Sequence, residues 1–260
     1  MRGIVALGFV GSVVWGALAG TADARTDHAS HHKARHGHQR AARVSAAVSR
    51  SAAHEDRPAH GQSVGAPWAG TLHDATRFPD GDGYVIRRPW RAFATRTTVE
   101  HVEHVVAEVR DAFPDRHVLG IGDFSQEHGG AISDHHSHQT GRDVDIGLFY
   151  VEKPASYPRE FVRATADNLD CEATLGMIER FAATAKQDGG VQMMFLDYDV
   201  QGLLYHWGLD HGESEAKLDR LFQFAHGRGS MDGLVHHIPG HDNHVHVRFQ
   251  CAAGDTSCER

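Results

Sequence analysis

Gly240-His241-Asp242-Asn243-His244-Val245-His246-Val247-Arg248-Phe249 is the stretch that decides how this chain is read. From His244 to Phe249 polar and apolar residues alternate strictly, and on a strand side chains two apart share a face. Both imidazoles and Arg248 therefore point one way. Val245, Val247 and Phe249 point into a core and fix the register, because a slip by one residue would exchange the two faces. Two histidines side by side on a rigid strand make a ligand pair, or a ligand with a neighbouring base.

About a hundred residues upstream lies Ser137-His138-Gln139-Thr140-Gly141-Arg142-Asp143-Val144-Asp145-Ile146-Gly147, in which six residues separate His138 from Asp145. Asp143 to Leu148 alternates again, with Val144, Ile146 and Leu148 on one face and Asp143, Asp145 and Gly147 on the other. The pattern predicts a half-buried strand that presents acids. If the two strands meet, they supply His, Asp and His to one metal with an imidazole to spare. Two His and one Asp with a position left open is the composition of a catalytic zinc site, whereas structural zinc sites are closed and usually contain cysteines. Such a metal lowers the pKa of its bound water towards about 7 and polarises a carbonyl, and a histidine within reach takes the proton. Non-haem iron also uses two His and a carboxylate, but no closely spaced His-x-Asp/Glu pair favours it.

The remaining sequence bounds the setting. Met1-Arg2, the apolar run Ile4–Leu18 and Ala22-Asp23-Ala24 have the form of a leader cleaved near Ala24, so residues 1–24 are expected to be a signal peptide and the protein to be periplasmic. No second apolar run is long enough to span a bilayer, so an integral membrane protein is not expected. Residues 25–66 read as a disordered linker rich in His, Arg and Ala, with seven Lys/Arg against three Asp/Glu between Arg25 and His60. It also carries several histidines able to scavenge metal, but a solvated spacer is the favoured reading. From a formal net charge of −8, this leaves about −12 on Gly61–Arg260, which argues against nucleic acid as the partner. Residues 67–260 are expected to form one α+β domain with an antiparallel core, ordered from Pro67-Trp68 onward.

Within that domain, Tyr84–Arg88 reads as a strand ended by Pro89. Thr97-Thr98-Val99-Glu100 has the form of a capping box before a helix lined by Val99, Val102, Val105, Val106 and Val109. His101, Glu103 and His104 on that helix lack the His-Glu-x-x-His spacing of a metalloprotease and read as a solvated face. His117–Gly122 and Val191–Leu196 read as strands, and Cys171–Lys186 and Glu213–Phe224 as helices. In an oxidising compartment Cys251 and Cys258 are the expected disulfide pair, leaving Cys171 over. No glycine-rich phosphate loop and no Gly-x-Ser-x-Gly elbow occurs.

Five segments together carry a resemblance: GYVIRRPWRAF from Gly83, GDFSQEHGG from Gly122, SHQTGRDVDIGL from Ser137, PGHDNHVHVRFQC from Pro239 and the closing CAAGDTSC. They resemble the LAS metallopeptidases, which share H-x6-D followed by H-x-H, and within them the penicillin-insensitive murein endopeptidases. The resemblance runs from roughly Gly65 to the C-terminus. It implies a small antiparallel sheet flanked by helices, and zinc held by His138, Asp145 and His246 with His244 as the catalytic base. His135 and His241 match further active-site histidines that orient water or substrate. Asp143 shares the face of Asp145 and is the runner-up ligand, read here as support for the ligands. The implied reaction is β-lactam-insensitive hydrolysis of D-Ala–meso-diaminopimelate cross-links in peptidoglycan. Two other readings remain: an L,D- or carboxypeptidase acting on stem peptides, and a non-catalytic periplasmic protein that binds metal or wall. Arg142 stands where the family more often has an apolar residue, and Phe93-Ala94-Thr95 replaces its commoner aromatic-Gly-Thr.

Overall fold

Alternation on His244–Phe249 and Asp143–Gly147 builds the centre of a sheet, and the rest of the chain packs against the two faces that this alternation creates. A computed structural model describes residues 61–260. The expected leader, 1–24, and nearly all of the expected linker, 25–66, lie outside the described residues. In chain order the elements are β1 (Gln62–Ala66), β2 (Ala69–His73), β3 (Thr76–Arg77), β4 (Tyr84–Ile86), β5 (Phe93–Ala94), α1 (Arg96–Ala112), β6 (Leu119–Ile121), β7 (Asp143–Gly147), α2 (Cys171–Ala183), β8 (Val191–Phe195), α3 (Tyr198–Asp210), α4 (Glu215–Leu221), β9 (Val235–His236) and β10 (His244–Phe249). The fold is α+β, as the sequence predicts.

A six-stranded sheet runs in the order β4-β6-β7-β10-β8-β9, and two ribbons, β1-β2 and β3-β5, stand apart from it. The four central strands are antiparallel, but both edge strands run parallel to their neighbours, so the sheet is mixed rather than purely antiparallel. Each edge strand is a two- or three-residue segment from a separate excursion of the chain; β4 lies within the strand read at Tyr84–Arg88, whereas β9 is too short to leave a sequence pattern.

One sheet face is covered by α1 and α2. Val245, Val247 and Phe249 are fully buried there with Val144 and Ile146. Phe181 of α2 meets Phe249 edge-on, and His101 of α1 stacks flat on the same ring. Removing side chains of this size from water stabilises the fold by about 1.5–3 kcal/mol each. On α1 the stripe Val99, Val102, Val105, Val106 and Val109 is buried, while Glu103 and His104 face solvent. The helix cap is Thr95, whose hydroxyl accepts from Thr98 N, two residues before the Thr97 cap that the sequence suggests.

Further differences concern individual elements. β7 is buried on both faces, not half-buried, because its acids are enclosed by histidines and Arg248 instead of water. β1 occupies the last five residues of the stretch read as linker. Its small residues pair with β2, and Gly65 bonds the C-terminal segment through Ser257 O and Glu259 N. α3 has no counterpart in the sequence reading, and Glu213–Phe224 resolves into α4 and a separate 3-10 turn, Gln223–His226. Cys171–Lys186 likewise ends as a 3-10 turn after Ala183. Cys251 and Cys258 are joined in a disulfide, and Cys171 is unpaired.

Candidate metal centre

The open face of the sheet carries the site. β10 and β7 pair so that His246 lies opposite Asp145 and Arg248 opposite Asp143. The register that buries the valines behind the sheet therefore also sets the polar side chains against each other in front of it. His138 comes from the loop before β7. It takes a left-handed backbone, φ 65°, which a non-glycine residue adopts at a cost of about 1–2 kcal/mol. The Asp143 carboxylate holds it there by accepting from His138 N at 3.0 Å.

Each imidazole is fixed from behind. His138 Nδ1 donates to Phe124 O at 2.7 Å, which leaves its Nε2 as a lone pair facing the site. His246 Nε2 donates to Asp143 Oδ1 at 3.0 Å, which turns its Nδ1 forward. These two forward nitrogens stand 3.1 Å apart, and Asp145 Oδ1 is 3.3 Å from each of them. His244 Nε2 reaches to 3.5 Å from the same oxygen, with its Nδ1 donating to Asn243 Oδ1 at 2.6 Å.

Asp145 Oδ1 is buried and has no hydrogen-bond partner among the described residues. Two imidazole nitrogens and one orphaned carboxylate oxygen thus converge within 3.3 Å of one another. Buried lone pairs so arranged repel unless a proton or a cation lies among them, and borderline-soft zinc takes this N/O donor set. The residues fit. Asp143 does not share in the convergence: its oxygens are engaged by His138 N, His246 Nε2 and Arg248 Nε, the last at 2.7 Å. Its place behind His246 is the carboxylate–histidine arrangement that raises ligand basicity.

The donor atoms of His135, His138 and Asp145 also all lie within 4.8 Å of one another, which makes His135 a rival for the third position. His135 Nε2 stands farther off, 3.8 Å from Asp145 Oδ2, and is occupied in donating to Asp123 Oδ2 at 3.0 Å. His246 Nδ1 is nearer and free of such a partner, so His138, Asp145 and His246 make the tighter set.

Charge follows from these contacts. Burial alone would raise the carboxyl pKa of Asp145, but His138 and His244 outweigh it and hold the group well below the carboxylate range. At Asp143 burial is likewise outweighed by His246, Arg248 and His138. Burial disfavours a charged His246, yet Asp143 and Asp145 beside it push the imidazole up to about 9 in the metal-free protein. His241 goes the other way, down to about 4, through burial and the positive potential of His244 and His246. Its ring lies 4.9 Å from that of His244.

Several residues near the site escaped the sequence reading. Asp123 is buried where β6 ends; its Oδ2 accepts from Arg88, Arg91 and His135, and Arg91 also bonds Ser133. This clamp ties the His135 loop to the sheet and keeps Asp123 ionised against its burial. Phe161, from the loop between β7 and α2, stacks on His244 at 5.2 Å and carries Arg87 on its other face at 3.9 Å. Trp68 and Phe195 line a groove of about 430 Å³ beside the donors, with His135, His241, His244 and His246 at its base.

The model of a family described as penicillin-insensitive murein endopeptidase matches residues 63–196, just over half of the chain. No curated protein matches the chain.

Proposed function

Because the chain belongs to the penicillin-insensitive murein endopeptidase family and is a peptidase of peptidoglycan, we propose that it is an exported zinc D,D-endopeptidase that hydrolyses D-Ala–meso-diaminopimelate cross-links. The observation that carries this reading is the orphaned Asp145 Oδ1 facing two forward imidazole nitrogens across an open groove. His138 Nε2, Asp145 Oδ1 and His246 Nδ1 would hold the zinc. Bound there, the ion supplies Lewis acidity, making water a better nucleophile and a peptide carbonyl a better electrophile.

The protein's own groups do the rest. His244 Nε2 takes the proton of the attacking water and returns it to the leaving amine. Asn243 holds the opposite ring nitrogen, and Phe161 keeps the ring plane fixed, so the base meets its proton in one orientation. His241 is neutral at neutral pH, and with its Nδ1 donating to Ile238 O at 3.2 Å it presents Nε2 as an acceptor that orients water or a substrate N–H. His135, held by Asp123, lines the same groove and orients substrate or water there. No serine attacks substrate in this scheme, so β-lactams have nothing to acylate. Murein lies outside the cytoplasm, which agrees with export by a leader at residues 1–24.

The test is His244→Ala. This variant should retain one zinc per chain by elemental analysis while losing cleavage of a defined cross-linked muropeptide dimer by at least about 100-fold. Full activity would remove His244 from the mechanism.

A further inference from the structure

Arg248 is the one permanent cation among the residues that line the groove, and nothing in the scheme above uses it. Its side chain is nine-tenths buried, and its Nε donates to Asp143 Oδ1 at 2.7 Å. Neither terminal nitrogen makes a hydrogen bond among the described residues. The guanidinium lies 5.3 Å from the ring centroid of Phe195 and 5.8 Å from that of Trp68, so aromatic faces flank it and reduce its hydration. Asp143 cannot neutralise it fully, since the same carboxylate also accepts from His246 and His138. The one acid in the groove lining, Asp134, accepts from Ser133. A desolvated guanidinium fork with its outer donors free, in a domain of net negative charge, is built to receive a carboxylate in two-pronged fashion.

We infer that Arg248 is the specificity-determining residue for a free carboxylate on the residue that supplies the leaving amine. The inference rests on the endopeptidase reading and names what that site recognises. In a D-Ala–diaminopimelate cross-link the carbon bearing the scissile nitrogen also bears a carboxylate, three bonds from the scissile carbonyl carbon. His246 and Arg248 are two residues apart on β10, roughly 6.5 Å along the strand. That span fits a carbonyl seated at the donor atoms and a carboxylate hydrogen-bonded to the fork. A wall in which this carboxylate is amidated would be a poor substrate, because an amide brings no charge and turns an NH₂ towards the guanidinium donors.

The experiment uses the metal-loaded protein and two cross-linked muropeptide dimers that differ only in whether this carboxylate is free or amidated. A binding readout independent of turnover comes from titrating tryptophan fluorescence, with Trp68 as reporter, against the free and amidated diaminopimelate tripeptides. The expected result is a roughly 10- to 100-fold preference in kcat/KM for the free form, carried mainly by KM, with tighter binding of the free tripeptide. Arg248→Gln should collapse both preferences, and Arg248→Lys should retain part of them. Should Arg248→Gln fail to fold, the wild-type comparison and the lysine variant still decide the matter. Equal cleavage and equal binding of the two forms by the wild-type protein overturns the inference and leaves the endopeptidase reading standing. Cleavage of neither dimer overturns that reading, and a selective tripeptide titration then still upholds the carboxylate subsite.

Discussion

Replacing Asp143 with Asn keeps the volume of the side chain and removes the charge beneath the candidate metal centre. Asp143 is fully buried and accepts from three donors: His138 N and His246 Nε2 at 3.0 Å, and Arg248 Nε at 2.7 Å. An asparagine offers one acceptor oxygen and an NH₂ that only donates, so at least one of the three must face a donor. Arg248 also loses the charge that balances it. Lost charge-assisted hydrogen bonds and a poorly paired buried guanidinium together put the cost at about 2–4 kcal/mol. In a unit of this size each kcal/mol lowers Tm by about 2–4 °C, so a fall of roughly 5–15 °C is expected in the metal-free protein. The greater interest is in metal affinity. His246 would no longer be held with Nδ1 forward, and losing such a partner weakens binding by about 10- to 100-fold. Competition with a chromophoric chelator measures this directly. Zinc affinity within about twofold of wild type would refute the claim that Asp143 orients His246. Complete loss of binding in a folded variant would instead make Asp143 a ligand itself.

Three further outcomes follow from the same geometry. In the metal-free protein His246 is raised to about 9, so the stability it confers is complete below its unfolded pKa of about 6.5 and is lost as pH rises through about 9. A metal must displace that proton, so calorimetry in buffers of different ionisation enthalpy at pH 7.5 should find about one proton released per zinc, and no release would contradict the assignment. Phe161→Leu removes the ring that fixes His244 and should lower kcat about 10-fold with KM and zinc content unchanged, while Phe161→Tyr restores activity; an equal loss in the tyrosine variant would point to a disrupted loop instead. Arg142 is fully buried and donates to Ser63, Phe249 O and Glu259 O, so Arg142→Met should lower Tm by roughly 5–10 °C and leave zinc affinity unaltered; a matching loss of affinity would mean that this staple reaches the metal centre.

Much of the site was legible because strand alternation carries three-dimensional information over short distances. His244, His246 and Arg248 share a face for the same reason that Val245 and Val247 share the other, and pairing in register brings the first set onto Asp145 and Asp143. The two terminal cysteines were legible for their proximity in the chain. What the sequence concealed depends on tertiary placement. The stacking of Phe161 on His244 and the Asp123 clamp join residues far apart in the chain, with no periodic signal in either partner. α3 was hidden because apolar residues occur all round it, from Val200 and Leu204 to Trp207 and the exposed Leu209, so no single stripe marks it. Its only local sign was Asp197, which caps it by accepting from Asp199 N. The full burial of β7 was masked by its own acids, which a sequence pattern scores as solvent-facing.

The most direct test of the account is to strip the protein of metal, restore zinc, and digest purified cross-linked peptidoglycan with each preparation, reading the products by mass spectrometry. The account predicts that dimers are split into monomers at the D-Ala–diaminopimelate bond, with the gain of one water, only when zinc is present. Equal splitting by the stripped protein, or release of terminal D-Ala with the cross-links intact, would contradict it.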